Sequence, residues 1–350
     1  MKKIAILGAG AIGGCVSANF SQAGIDHWVI DPWPAVIEVM RTQGLHITSS
    51  DSEFQSAPLK AIHLHELAGL PIDCFDIVFL ASKAGEAKWL SEFILPYLHP
   101  SSMVVVLMNG MMNQAVAKIV GEHRTIGCVL ELSAESFEAG LIKRKTPPAR
   151  TWMGLGELDG QRTPRLEEIK SLLQHVATVD ITTNIEGAKW TKLVTNAMVL
   201  APFAMLKAES YDALELPHMR DLILQIGIET IAVGQALGYQ LEGIFGLSDS
   251  AMEQEPQIIA EKLVTTLLGH IGKKSQNAVT QDVIKKRRTE TPYLNGLVVQ
   301  HGMRLAIPTP ANQSIVEVMR QIEQHIIPAN ISNIDVAIAL TKSYATNSSS

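Results

Sequence analysis

The stretch that decides the fold reads Lys3-Ile4-Ala5-Ile6-Leu7-Gly8-Ala9-Gly10-Ala11-Ile12-Gly13 and runs on through an apolar helical pattern to Asp31. Ile4 to Leu7 form an apolar run of strand length, and the glycines at 8, 10 and 13 make a G-x-G-x-x-G turn directly after it. A helix over 12–22 and a second strand over 27–30 follow, the latter ending at the carboxylate of Asp31. Glycines cluster in many turns. Strand, glycine turn, helix, strand and acidic residue in that order, however, make the unit that binds a dinucleotide. Gly8 permits the tight turn, Gly10 lets the pyrophosphate approach the backbone, and Gly13 lets the helix lie against the sheet. Ala9, Ala11 and Ile12 lie where the helix N-terminus offers oriented N–H groups to an anion.

Asp31 carries a second inference. Its carboxylate can accept hydrogen bonds from the adenosine ribose hydroxyls, and it would repel a 2′-phosphate. The alternative is a cap on the following turn. Pro32-Trp33-Pro34 provides no arginine for such a phosphate, and Arg41, the nearest, lies a helix away. The cofactor is therefore NAD(P)H, with these residues favouring NADH.

Outward from this unit, short apolar runs alternate with helical patterns, as in a parallel sheet covered by helices. Further strands are expected over 76–81, 103–108, 125–130 and 150–157, and helices over 35–43, 85–98 and 112–120. The stretch 46–65 reads as irregular, and 158–164 as a polar loop. After about residue 180 helical periodicity dominates, over 186–206, 217–237, 256–269, 292–305 and 310–325. Thr291-Pro292 and Thr309-Pro310 place a capping hydroxyl before a first-turn proline. The chain thus reads as α/β, an N-terminal Rossmann-type doubly wound parallel sheet over 1–180 with an all-α C-terminal domain over 181–335 and a polar tail over 336–350.

Bulk properties narrow the function. The 350 residues carry 29 basic and 35 acidic side chains, a formal net charge of −6 with no long single-sign run, which argues against a nucleic-acid protein. Cys15, Cys74 and Cys128 lack the spacing of a zinc site or a disulfide framework and read as buried reduced thiols. The apolar run after Met1-Lys2-Lys3 breaks at Gly8, with no cleavage region after it, and no apolar stretch reaches membrane-spanning length. The expected setting is the cytoplasm, with no membrane and no nucleic-acid partner.

The chemistry is read from 186–206, where Lys192 and Asn196 are four residues apart on one helix face in an apolar segment. A lysine there could simply snorkel. Yet Trp190-Thr191-Lys192-Leu193-Val194-Thr195-Asn196 resembles the W-x-K-L-x-x-N segment of the ketopantoate reductase family. Further segments resemble that family in order. They are Ser82-Lys83-Ala84, Met108-Asn109-Gly110 (methionine replacing the usual glutamine), Gly156-Glu157-Leu158-Asp159-Gly160, Gln281-Asp282 with Thr289-Glu290 and Tyr293-Leu294-Asn295-Gly296, and Pro308-Thr309-Pro310-Ala311-Asn312.

The resemblance implies roles. Lys192 would protonate a carbonyl oxygen while hydride reaches the carbon, and Glu290 would hydrogen-bond at the same site. Asn196 would contact substrate, Asn109 would lie beside nicotinamide and substrate, and Lys83 near the cofactor ribose and phosphates. Lysine suits the task because it stays protonated near neutrality and can both stabilise an alkoxide and donate a proton. Three positions depart from the pattern. Leu200 replaces a second asparagine, Ala278 a substrate-binding serine and Ser275 an asparagine; Asn277 is a candidate to compensate by a one-residue shift. The implied reaction is NAD(P)H-dependent reduction of a 2-oxo acid, by default 2-dehydropantoate in pantothenate biosynthesis. Leu200 and Ala278 keep open an NAD-linked D-2-hydroxyacid dehydrogenase for an apolar, branched or aromatic substrate. A non-catalytic dinucleotide-binding protein is countered by the presence of both Lys192 and Glu290. A homodimer is the assembly to test.

Overall fold

The run Ile4–Leu7 becomes β1, with every residue buried, and its neighbours are built alike from aliphatic runs. The computed structural model describes residues 2–207, 213–270 and 276–347. It divides into two units, Met1–Glu186 and Gly187–Ser350. In the first, β1 leads to α1 (Ala11–Gln22), β2 (Trp28–Asp31) and α2 (Pro34–Thr42). Then come β3 (His46–Thr48), β4 (Glu53–Gln55), β5 (Lys60–His63), β6 (Phe75–Leu80) and α3 (Ala87–Ile94). β7 (Leu98–Leu107), α4 (Asn113–Val120), β8 (Thr125–Glu131), β9 (Ala134–Glu135) and β10 (Leu141–Arg144) follow. β11 (Trp152–Glu157), α5 (Pro164–Leu173) and β12 (Thr178–Ile181) complete it.

Eight strands form one sheet in the order β12-β11-β8-β7-β6-β1-β2-β5. All neighbours are parallel except β11 against β8. The chain steps from β1 to β2 on one side and to β6 on the other, so the direction of winding reverses at β1, where open α/β sheets bind ligands. Phe20 of α1 meets Phe79 of β6 edge-on with ring centroids 5.5 Å apart, inside a core that includes Ile6, Val105 and Leu155.

The stretch 46–65 is not irregular. It forms β3, β4 and β5; β5 extends the main sheet, while β3 and β4 join β9 and β10 in a second sheet ordered β4-β3-β10-β9. Segments of three or four residues, with one apolar side chain at the centre of β3 (Ile47) and of β4 (Phe54) and two in β5 (Ala61, Ile62), are too short to show a period. The expected helix over 85–98 stops at Ile94, continues as a 3-10 turn, Leu95–Tyr97, containing Pro96, and gives way to β7. The helix α5 and the strand β12 were likewise not legible in the pattern.

The second unit is helical: α6 (Ile185–Ala204, beginning just before the division), α7 (Met219–Ala236), α8 (Pro256–His270), α9 (Ala278–Ile284), α10 (Asn295–Leu305), α11 (Pro310–Glu323) and α12 (Asn333–Asn347). The stretch from 336 read as a tail is helical through Asn347. Ile334 and Ala337 are buried, and Thr341 Oγ1 donates to Ser314 Oγ of α11 at 2.9 Å. The caps also differ from expectation. Thr291 lies within a 3-10 turn, Thr291–Tyr293, and Thr309 makes no side-chain cap bond to α11. Glu229 of α7 caps α11 instead. Its carboxylate accepts from Ala311 N at 2.9 Å, Asn312 N at 3.0 Å and Asn312 Nδ2 at 2.8 Å. Pro310 has no N–H, so the orphan donors begin at Ala311.

Candidate active site

In the first unit the candidate cofactor residues lie where β2, β1, β6 and β7 end. Leu7 pairs with Ile30 and with Leu80, and Leu80 with Val106, so the carboxyl ends of four adjacent strands lie level. Gly8 to Gly13, Asp31, Lys83 and Asn109 all follow or close these ends, and the sheet thereby gathers every cofactor residue expected in this unit. Gly8 has φ +102°, and a Cβ there would fall 2.8 Å from Ala81 O. A Cβ on Gly13 would fall 1.9 Å from Gly8 O, so the helix can lie this close to the turn only with glycine at 13. A Cβ on Gly10 would meet nothing within 4 Å, which leaves the room a pyrophosphate requires. No acidic residue stands in the first turn of α1 to compete with an anion at its N-terminus. The cradle fits a dinucleotide.

Asp31 is buried, and its two oxygens hold two pieces of backbone. Ala9 N donates to Oδ2 at 2.6 Å and Trp33 N to Oδ1 at 2.7 Å. These two backbone bonds fix Asp31 against the glycine loop. Arg41, the nearest arginine by sequence, has its guanidinium bonded to Glu66, Glu38 and Ala61 O. The hydrogen bond from His63 N, and then that from Arg41, hold the Glu66 carboxyl below the usual carboxylate range. Lys83 and Asn109 are half-buried; Asn109 precedes Gly110, whose φ of +76° makes the turn after β7.

In the second unit the candidate catalytic residues Lys192 and Asn196 are carried by α6. Trp190 is buried, donates from Nε1 to Thr230 O at 3.0 Å and stacks on Tyr239 at 4.9 Å, which fixes the rotation of the helix two residues before Lys192. Asn196, one turn on, is buried. The Lys192 ammonium lies over the ring of Phe245, 4.4 Å from its centroid. Glu290 is buried at the start of the turn before α10.

Asn277 is engaged at both ends of its amide. Its Oδ1 accepts from Val279 N and Thr280 N at the start of α9, and its Nδ2 donates to Leu200 O at 3.1 Å. Asn277 and Asn295 thus donate from outside α6 to Leu200 O and Ala197 O. The Asn277 bond also brings Ala278 near Leu200, two of the apolar departures. Ser275 lies outside the described residues.

Sequence reasoning missed Glu229 and Phe245, which lie in segments without a motif. Cys15 and Cys128 are buried, as expected, but Cys74 is only half-buried; burial pushes the Cys15 thiol up to about 12, so it is inert. Among the described residues no group of acidic, histidine or cysteine side chains could hold a metal ion, and no helix is long and apolar enough to cross a membrane.

Residues 4–157 match the family model described as Ketopantoate reductase PanE/ApbA, and residues 184–323 match Ketopantoate reductase PanE/ApbA C terminal. The chain belongs to the ketopantoate reductase family. It is thus an NAD(P)H-binding oxidoreductase of that type. A 2-dehydropantoate 2-reductase of Archaeoglobus fulgidus is 22% identical over 329 residues, covering 92% of this chain and 98% of that protein. The structure of a 2-dehydropantoate 2-reductase from Geobacter metallireducens GS-15 matches with TM-score 0.75 at 24% identity, over 91% of this chain and 99% of that one. D-mandelate dehydrogenase with NADH and anilino(oxo)acetate matches with TM-score 0.80 at 20% identity, over 92% and 98%. These structural likenesses establish the shared ketopantoate reductase fold.

Proposed function

We propose that this protein reduces a 2-oxo acid to the 2-hydroxy acid, with NADH as the preferred cofactor and 2-dehydropantoate as the default substrate. The observation that carries the reading is Lys192, placed on a helix locked by buried Trp190, in a chain whose other unit presents a dinucleotide cradle. The bound cofactor supplies hydride to the carbonyl carbon. As the carbonyl π bond breaks, the Lys192 ammonium donates its proton to the oxygen, so the product is a neutral hydroxyl and the lysine a neutral amine. Glu290 and Asn196, both buried, hydrogen-bond the substrate beside Lys192. Asn109 and Lys83 hold the nicotinamide end and the ribose-phosphate portion of the cofactor. Asp31 accepts from the adenosine ribose and disfavours a 2′-phosphate.

A second substrate reading is supported by particular residues. Leu200 and Ala278 are apolar where substrate is expected, which favours 2-oxo acids with a branched or aromatic substituent over one with a hydroxyl to be hydrogen-bonded. A screen of 2-oxo acids with NADH and with NADPH, followed by the absorbance of reduced nicotinamide, tests both. Turnover of 2-dehydropantoate above all others supports the default, and preference for an apolar substituent supports the second reading. Turnover of none removes the reaction.

A further inference from the structure

We propose that Phe245 is a positioning residue for the proton donor, an aromatic plate that holds the Lys192 ammonium at its working place. The inference rests on the reading of Lys192 as that donor. The ammonium lies 4.4 Å from the ring centroid, over the face of a ring that is itself buried. An aromatic face attracts a cation through its quadrupole, and more so where water is excluded. Unlike a carboxylate, it holds the charge without competing for the proton. That suits a group whose task is to give the proton away.

The backbone shows that the ring's place is built. Phe245 has φ +56°, in the left-handed region where a bulky side chain is an outlier. Such a conformation persists only where its surroundings over-determine it. Here they do. Glu242 N donates to the Oγ1 of Thr191 at 3.1 Å, so the loop before Phe245 is bonded to the residue immediately preceding Lys192. Gly243 N donates to Asp249 Oδ1 at 2.8 Å, and Leu247 N donates to Ile244 O at 3.0 Å, which closes the turn around the ring. A Cβ on Gly243 would fall 2.1 Å from Leu247 O, so the closure depends on glycine. The next residue, Gly246, also has positive φ, +77°. A second glycine at 245 would adopt this backbone without strain. An aromatic residue is held there against its preference, and its ring ends over the ammonium. Burial of the ring alone would not require that contact.

Two variants keep a side chain with the same backbone preference and differ at the ring. Phe245→Leu should lower kcat about tenfold with KM within about twofold of wild type, and Phe245→Tyr, which restores an aromatic face, should recover most of that loss. A merely structural role predicts loss in both variants, with KM and thermal stability moving together. A spectroscopic readout is independent of turnover. After reductive methylation of the lysines with carbon-13 formaldehyde, the Lys192 methyl signal, assigned by its absence in Lys192→Arg, should be displaced by the ring current in wild type and return to the ordinary lysine position in Phe245→Leu. Wild-type kcat in Phe245→Leu, failure of Phe245→Tyr to recover, or a Lys192 signal unmoved between wild type and Phe245→Leu would each overturn the proposal. If wild type reduces no 2-oxo acid, the reaction read for the site fails on its own. The methyl signal then decides separately whether Phe245 holds Lys192.

Discussion

Replacing Asp31 with Asn isolates the charge that is proposed to select NADH. The side chains are isosteric, so the glycine loop keeps one of its two anchors: an amide oxygen can still accept from Ala9 N or Trp33 N, but not from both. The buried N–H left without an acceptor costs about 1–3 kcal/mol. That cost falls on both cofactors and cancels in their ratio. What does not cancel is the repulsion between carboxylate and 2′-phosphate. Across about 5 Å, at an effective dielectric of about 40–80 and a phosphate charge of about −1.5 to −2, it amounts to about 1–3 kcal/mol, or about tenfold to a hundredfold in affinity. Wild type should therefore bind NADH at least about tenfold more tightly than NADPH, and Asp31→Asn should bring the two within about threefold of each other. Asp31→Ser combined with Pro32→Arg should go further and invert the order. The assay is a titration of reduced-nicotinamide fluorescence at one fixed ionic strength, because screening weakens the repulsion. Tighter binding of NADPH by wild type, or an unchanged ratio in Asp31→Asn, would refute the reasoning. Asp31 would then be an anchor of the glycine loop alone.

Other substitutions separate chemistry from scaffold. Lys192→Ala should lower turnover about a hundredfold or more while NADH affinity stays within about twofold, measured by steady-state kinetics beside the same titration. Gly13→Ala would place its Cβ 1.9 Å from Gly8 O and should abolish cofactor binding, with a drop in thermal stability. Glu229→Gln loses an acceptor for the α11 N-terminus and turns an amide N–H₂ toward a donor, which should cost about 2–3 kcal/mol in urea denaturation. Burial holds His27 below its ordinary pKa of 6.5, and the neutral ring is satisfied by Ile25 O at 2.9 Å and Ser17 Oγ at 2.7 Å. The unfolded chain takes up this proton first, so the stability His27 contributes is full above 6.5 and is lost as pH falls below it. Denaturation midpoints across that range should show a slope of up to about 1.4 kcal/mol per pH unit that His27→Gln removes.

The glycine turn after β1 was legible, because backbone geometry is written in glycine spacing. The lysine and glutamate could be named only by resemblance. One lysine among many on apolar helices has no local signature, and the motif around Lys192 marked it out. Asn277 shows what such reading leaves out: its amide caps the helix starting at Ala278 and donates to Leu200 O of α6, partners that no motif spacing announces.

By itself the sequence determined most of the alternation of strands and helices in the first unit, the helical second unit and the glycine cradle. Each is a local pattern, set by side-chain period or by backbone freedom at single residues. Only the tertiary structure decided which groups answer them across long separations. Asp31 engages the Ala9 N–H, and Glu229 caps a helix more than 80 residues on. Phe245 meets Lys192, and the short strands at 46–63 divide between two sheets. A buried donor or charge takes whichever partner the packing brings within about 3–4 Å, and sequence distance places no constraint on that choice.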